Sequence, residues 1–123
     1  MDDQRQALSE KRDRLLKELA EVEVALSRVD GSIAGIPHYA VIELAAHERG
    51  RQLSCEIQKR QMAEAAALAP RRSACPGCGT LCELKPVKRD MTSIDGQLQL
   101  QDLRGFCSAC RRAFFPPAGT AGL

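Results

Sequence analysis

Large aromatic side chains are almost missing from this 123-residue chain, which has no tryptophan, one tyrosine (Tyr39) and three phenylalanines (Phe106, Phe114 and Phe115). A single large core is therefore not expected, and the length allows one or two small domains. A long apolar run is missing too, and the start Met1-Asp2-Asp3-Gln4 carries neither a basic nor an apolar segment. Neither a membrane span nor a secretory signal is expected, which places the chain in a reducing cytoplasm. Charge of one sign is also lacking, since 18 Lys and Arg against 16 Asp and Glu leave a net charge of +2. Cysteine is the exception: the chain carries 6 of them. In a reducing compartment, paired cysteines are metal ligands more often than disulfides.

Four of those cysteines form two Cys-x-x-Cys pairs, Cys75-Pro76-Gly77-Cys78 and Cys107-Ser108-Ala109-Cys110. A two-residue gap lets a tight turn aim both sulfurs at one point, and two such turns complete the tetrahedral sulfur cage that zinc prefers. Gly79 supplies the positive φ that such a turn often needs. The stretch between the pairs reads as a β-hairpin: a strand around residues 84 to 88, a turn at Asp95-Gly96, and Ile94, Leu98 and Leu100 alternating with Gln97, Gln99 and Gln101. The spacing thus predicts a zinc ribbon over residues 75–116 holding one structural Zn2+ through Cys75, Cys78, Cys107 and Cys110. Iron in a similar cage is the competing metal. Cys82 reads as a strand residue packed near the site, Cys55 as a spectator thiol, and His38 and His47 as bystanders without ligand spacing.

The N-terminal half has a different pattern. Leu15, Leu19, Val22, Leu26 and Val29 follow alternating steps of four and three, with Leu8 one heptad earlier, Ile33 one step later and Arg12 in the one polar position. This predicts a helix over residues 3 to 30, with a seam suited to a coiled coil or a helical hairpin and a stop at Asp30-Gly31. Gly35 and Pro37 mark a loop, and a second helix is expected over residues 39 to 68, with Tyr39, Ile42, Ala46, Leu53 and Ile57 on one face. Residues 1–68 therefore read as an antiparallel αα-hairpin or a self-associating coiled coil, residues 69–74 as a linker, and residues 117–123 as a flexible tail. The fold class expected is α+β.

Residues 1 to 70 carry ten basic and twelve acidic side chains, whereas residues 71 to 123 carry eight basic and four acidic ones. A four-thiolate cage around a divalent ion contributes −2, so the basic character of the second half is modest. Arg71, Arg72, Lys88, Arg89, Arg111 and Arg112 flank the two knuckles and are the candidate phosphate contacts; the alternative is solvated surface charge. The three phenylalanines bracket the second knuckle. They read either as a cover for the metal site or, if exposed on a sheet among Arg and Lys, as stacking platforms for bases.

The order of these motifs is familiar. The helix over residues 39 to 68 leads into Cys75-Pro76-Gly77-Cys78-Gly79, then Thr92-Ser93-Ile94-Asp95-Gly96, then Phe106-Cys107-Ser108-Ala109-Cys110-Arg111-Arg112-Ala113-Phe114-Phe115-Pro116, with Gly122-Leu123 following. This resembles the region before the catalytic domain of ISKra-type insertion-sequence transposases, over roughly residues 39 to 123. The resemblance implies a helical and zinc-ribbon segment that precedes a domain of RNase-H-like fold, whose Asp, Asp and Glu bind metal and cut DNA. This chain stops before such a domain, and Asp90, Asp95 and Asp102 read as turn or strand-edge residues, so no catalytic residue carries over.

The expectation is a non-catalytic DNA-binding or assembly module, able to self-associate through its first helix, with no membrane and no small-molecule substrate. The alternative is a stand-alone zinc-ribbon adaptor that docks on a protein of the transcription or translation machinery. A redox enzyme fits poorly, since no βαβ pattern accompanies the cysteine pairs.

Overall fold

A computed structural model of the chain describes residues 1–116. The expected tail over residues 117–123, Gly122-Leu123 included, lies outside the described residues. Helix α1 spans Asp2–Val29 and α2 spans Tyr39–Leu68; strands β1 (Arg72–Ala74), β2 (Leu81–Ser93), β3 (Gly96–Cys107) and β4 (Arg112–Phe114) follow. The chain is therefore α+β, and it divides into two compact units, Met1–His47 and a second that starts at Glu48. None of the described helices is long and apolar enough to cross a membrane.

In the first unit, α1 closes where the sequence places its stop: the Asp30 N–H donates to the Leu26 carbonyl at 2.9 Å, and Gly31 takes a φ of +76°. No residue of α1 is buried, and Leu15, Leu19, Val22 and Leu26 keep between 43% and 52% of their surface. The seam is therefore an open apolar stripe. At the start of α2, the Ala40 N–H donates to His38 Nδ1 at 3.2 Å, which makes His38 a cap for a helix end whose first N–H groups lack partners.

The second unit is organised by one long hairpin. The four strands form a single antiparallel sheet in the order β1-β2-β3-β4. The β2–β3 ladder runs without a slip from Leu84 opposite Gly105 to Ser93 opposite Gly96. The two-residue turn is Ile94-Asp95, one position earlier than Asp95-Gly96, because Ser93 and Gly96 form the closing pair and Gly96 absorbs a φ of +114°. Ile94 sits at the tip and is fully exposed instead of sharing the face of Leu98 and Leu100. The stretch 69–74, expected as a linker, instead contributes β1, because the first knuckle turns the chain back and sets Arg72 opposite Glu83 and Ala74 opposite Leu81.

Burial changes face halfway along the hairpin. Near the knuckles, Cys82 and Leu84 of β2 and Leu103, Gly105 and Cys107 of β3 are buried. Toward the tip the parity reverses: Val87, Arg89, Met91 and Ser93 are half-buried on β2, and Leu98 and Leu100 are buried on β3. The ladder is continuous across this point, so the two halves of one hairpin bury opposite faces.

The tip half is closed against the C-terminal part of α2. Ser54 Oγ donates to the Asp95 carboxylate, and Arg51 Nη2 donates to the Asp95 carbonyl at 3.2 Å. These bonds pin the hairpin tip to the helix, and the half-buried stripe of Ser54, Cys55, Gln58, Met62, Ala63 and Ala66 lies on that side of α2. The apolar face expected from Leu53 and Ile57 is the exposed one. Cys55, read as a spectator thiol, is half-buried on this stripe, its Sγ 3.9 Å from the Asp95 carbonyl.

Gly105 is the most closely covered of the described glycines. A Cβ there would meet the Phe114 ring at 2.6 and 2.8 Å and Leu84 Cδ2 at 3.1 Å, so the ring lies directly over the bare backbone. Gly105→Ala must displace Phe114 from the knuckle and is expected to destabilise the second unit by about 1–3 kcal/mol. By contrast, Gly50 in α2 has nothing within 4 Å of its added Cβ. Gly50→Ala is expected to stabilise by up to about 1 kcal/mol. Denaturant unfolding of both variants checks the pair, and equal effects of the same sign would contradict it.

Candidate metal centre

The turns that follow β1 and β3 each present two cysteines, and the sheet brings the turns together. The sulfurs of Cys75, Cys78, Cys107 and Cys110 all lie within 4.8 Å of one another. Cys75 and Cys110 sulfurs stand 3.9 Å apart and those of Cys78 and Cys107 3.5 Å apart. A tetrahedral ion with metal–sulfur bonds of about 2.3 Å requires sulfur–sulfur separations of about 3.8 Å, so the cage has the size of one ion. An ion held by all four has no open position for a water or substrate.

The backbone shapes both knuckles for anionic sulfur. The Gly77 N–H points to Cys75 Sγ at 3.3 Å and the Cys110 N–H to Cys107 Sγ at 3.4 Å. Gly79, at a φ of +77°, closes the first turn by donating to the Cys75 carbonyl at 2.8 Å. The Cys75 N–H returns to the Thr80 carbonyl at 2.8 Å, locking the turn into the sheet. On the exposed side, Thr80 Oγ1 lies 3.1 Å from Cys78 Sγ.

The protonation of the four groups follows from this geometry. The Thr80 hydroxyl, then its backbone N–H, holds the Cys78 thiol down at about 6. The backbone N–H groups of Cys78 and Gly77 lower Cys75. Cys110 is pushed up to about 12 because its proton is shared toward Cys78 and Cys75. Four sulfurs this close cannot all be anionic unless a cation sits among them, and the proton on Cys110 stands in for part of that charge. The donor set, spacing and N–H contacts together fit one metal ion.

Cys82 lies beside the cage but outside it. It is buried on β2, packed with Cys75 and Cys107, and points to the Thr80 carbonyl at 3.3 Å. Burial pushes its thiol up, as for a packed strand residue. Neither His38 nor His47 joins the four-sulfur group.

The phenylalanines divide three ways. Phe114 packs on the cage and over Gly105. Phe115 lies with its ring centroid 4.0 Å from the Arg89 guanidinium. Phe106, expected to help cover the metal site, points to the opposite face from its neighbour Cys107 and keeps 61% of its surface. Strict alternation along β3 causes this: burying Cys107 completely sends Phe106 outward.

Of the expected phosphate contacts, Arg71, Arg72, Lys88, Arg111 and Arg112 are exposed. Arg89 differs: it is half-buried and bonded to Asp102 at 3.1 Å, with Phe115 above it. Its charge is used inside the fold. The exposed five do not form one patch. Arg72, opposite Glu83, lies on one face of the sheet, while Arg112, opposite Cys107, lies on the other. Asp95 and Asp102 hold Ser54 and Arg89 respectively, which makes both structural.

Comparison with protein-family models, with curated proteins and with solved structures finds no match to this chain.

Cys107→Ser is expected to abolish stoichiometric metal binding, whereas Cys82→Ser retains one equivalent per chain, as native mass spectrometry would read. Because the ligands bind as thiolates, protons compete with the metal, so occupancy falls as pH is lowered and recovers as it is raised. Retention of a full equivalent by Cys107→Ser would contradict the assigned ligand set.

Proposed function

We propose that this chain is a non-catalytic DNA-binding and assembly module, held together by one structural zinc ion and related in kind to the N-terminal region of an insertion-sequence transposase. The observation that carries it is the four-sulfur cage set in a small sheet whose exposed turns and edges are basic. Zinc is the favoured metal because four thiolates in a closed tetrahedron suit it, and iron is the competitor that elemental analysis distinguishes. Such an ion contributes roughly 10–16 kcal/mol of apparent binding energy, which decides whether so thin a core folds. The resemblance of the knuckle sequences to ISKra-type transposases supplies the DNA, and the order of helices before ribbon supplies the assembly role.

In this reading, phosphates are met by Arg71 and Arg72 beside the first knuckle and by Arg111 and Arg112 beside the second, with Lys88 further along β2. Arg89 is left out because Asp102 neutralises it. Duplex affinity is then expected to fall with salt at a slope of about −0.9 in log K per phosphate contacted. Changing Arg111 and Arg112 together to Ala lowers that slope by up to about two, with metal content intact. A folded, metal-loaded protein that binds no DNA at low salt would overturn the proposal.

A second reading, an adaptor for a protein partner, rests on the open seam of α1. A heptad stripe with this much apolar surface in water needs a cover. Self-association through α1 is the form the first reading takes, and it predicts a mass above one chain in sedimentation equilibrium. Leu19→Ala with Leu26→Ala returns the chain to a monomer while metal content stays the same. A wild-type chain that is monomeric at all concentrations favours the adaptor.

A further inference from the structure

One part of the sheet is neither packed on the cage nor covered by α2. Beyond the point where burial changes face, the side carrying Leu98, Leu100, Arg89 and Asp102 continues toward the knuckles as an open surface. Residues directly opposite one another in an antiparallel ladder share a face, and residues two apart on a strand share it too. Lys85 stands opposite Arg104, Phe106 opposite Ala113, and Arg72 opposite Glu83. Since Phe106 is two residues from Arg104, and Glu83 two residues from Lys85, all of these lie on one side. All are exposed, Phe106 by 61% and its apolar neighbour on the β2 edge, Leu81, by 62%. Among the described residues, no ion pair engages Arg72, Lys85 or Arg104.

A phenylalanine is a costly residue to leave in water, and this is the only one of the three left so exposed, in a chain of 3% aromatics. Packing does not require a large side chain there: the position is opposite Ala113, and the metal site is on the other face. What surrounds the ring is cationic, with three basic groups against the single carboxylate of Glu83. An aromatic face flanked by Arg and Lys on an open sheet matches the chemistry of an unpaired nucleobase and its flanking phosphates. The base stacks on the ring and the phosphates meet the cations. A base inside a duplex presents only its edges, so stacking on Phe106 needs a single strand.

We infer that this sheet face is a single-strand site in which Phe106 stacks one unpaired base while Arg104, Lys85 and Arg72 hold the adjoining phosphates. The inference rests on the reading of the chain as a nucleic-acid module and deepens it; of the basic residues proposed for duplex contact, Arg72 borders this face, while Arg112, opposite Cys107, lies on the other. It gives the protein two modes, with duplex held at the knuckles and an unpaired stretch laid across the sheet.

The test uses the full-length, metal-loaded protein with fluorescently labelled oligothymidylate, oligouridylate and a duplex. Phe106→Ala is expected to weaken single-strand binding by about 5- to 100-fold. It leaves duplex binding, metal content and the single-strand salt slope unchanged. Lys85→Gln with Arg104→Gln lowers that slope by up to about 1.4, at roughly 0.7 per phosphate on a single strand. Because the chain has no tryptophan, Phe106→Trp installs a unique reporter whose emission is quenched as bases stack on it. The tighter of the two oligonucleotides identifies the strand as DNA or RNA.

Unquenched emission from Phe106→Trp with the oligonucleotide bound overturns the inference, as does Phe106→Ala binding single strands like the wild type. Duplex binding persisting in either case leaves the broader proposal standing. Loss of binding to all three probes by the wild type overturns both.

Discussion

Four sulfurs converging on one point are what the second unit is built around. Among the described residues its buried side chains are Cys75, Cys82, Leu84, Leu98, Leu100, Leu103 and Cys107, so three of these seven are cysteines at or beside the cage. Four leucines cannot offset the backbone entropy of a sheet that includes a 13-residue and a 12-residue strand. An ion held by the four sulfurs would do what a larger core does elsewhere: it would tie β1 and β4, only three residues each, to the ends of a hairpin that would otherwise fray. Phe114 over Gly105 then seals the base of the hairpin next to the sulfurs.

The hairpin carries that order away from the cage. With an unbroken ladder, it buries its knuckle half on the metal side and its tip half on the helix side. One pair of strands thereby serves two small cores, neither of which could stand alone. Arg89 marks the seam between them: its ion pair with Asp102 and its contact with Phe115 tie the end of β4 to the middle of β2. The cost is an uncovered patch on each face, and on one of them stands Phe106.

Much of this was legible in the residues, and the failures have two causes. The four cysteines that converge on one point were legible from their Cys-x-x-Cys spacing, which is a local property. The helix ends at Asp30-Gly31 and the hairpin were equally local. The face switch was not legible, because alternation is read within one strand, whereas the partner that buries each half comes from elsewhere in the chain. Phe106 was misplaced for that reason: it was grouped with Phe114 and Phe115 by proximity in sequence, although parity against Cys107 already sends it to the other face. The stripe of α2 failed differently. Hydrophobicity favoured Leu53 and Ile57, whereas the half-buried stripe is that of Ser54, Cys55, Gln58, Met62, Ala63 and Ala66, on the side of the helix whose Ser54 bonds to Asp95.

Those bonds also bear on how the molecule opens. Asp95 straps the far end of the hairpin to Arg51 and Ser54, while the near end continues through β1 into the last turn of the same helix. The C-terminal part of α2 is thus closed into a ring with the hairpin, fastened at both ends. Backbone amides in that part of the helix share the fate of the sheet, and they exchange with solvent only when the ring as a whole opens. The helix that runs from Tyr39 to Leu68 thus spans both compact units, and the division between them falls near Glu48.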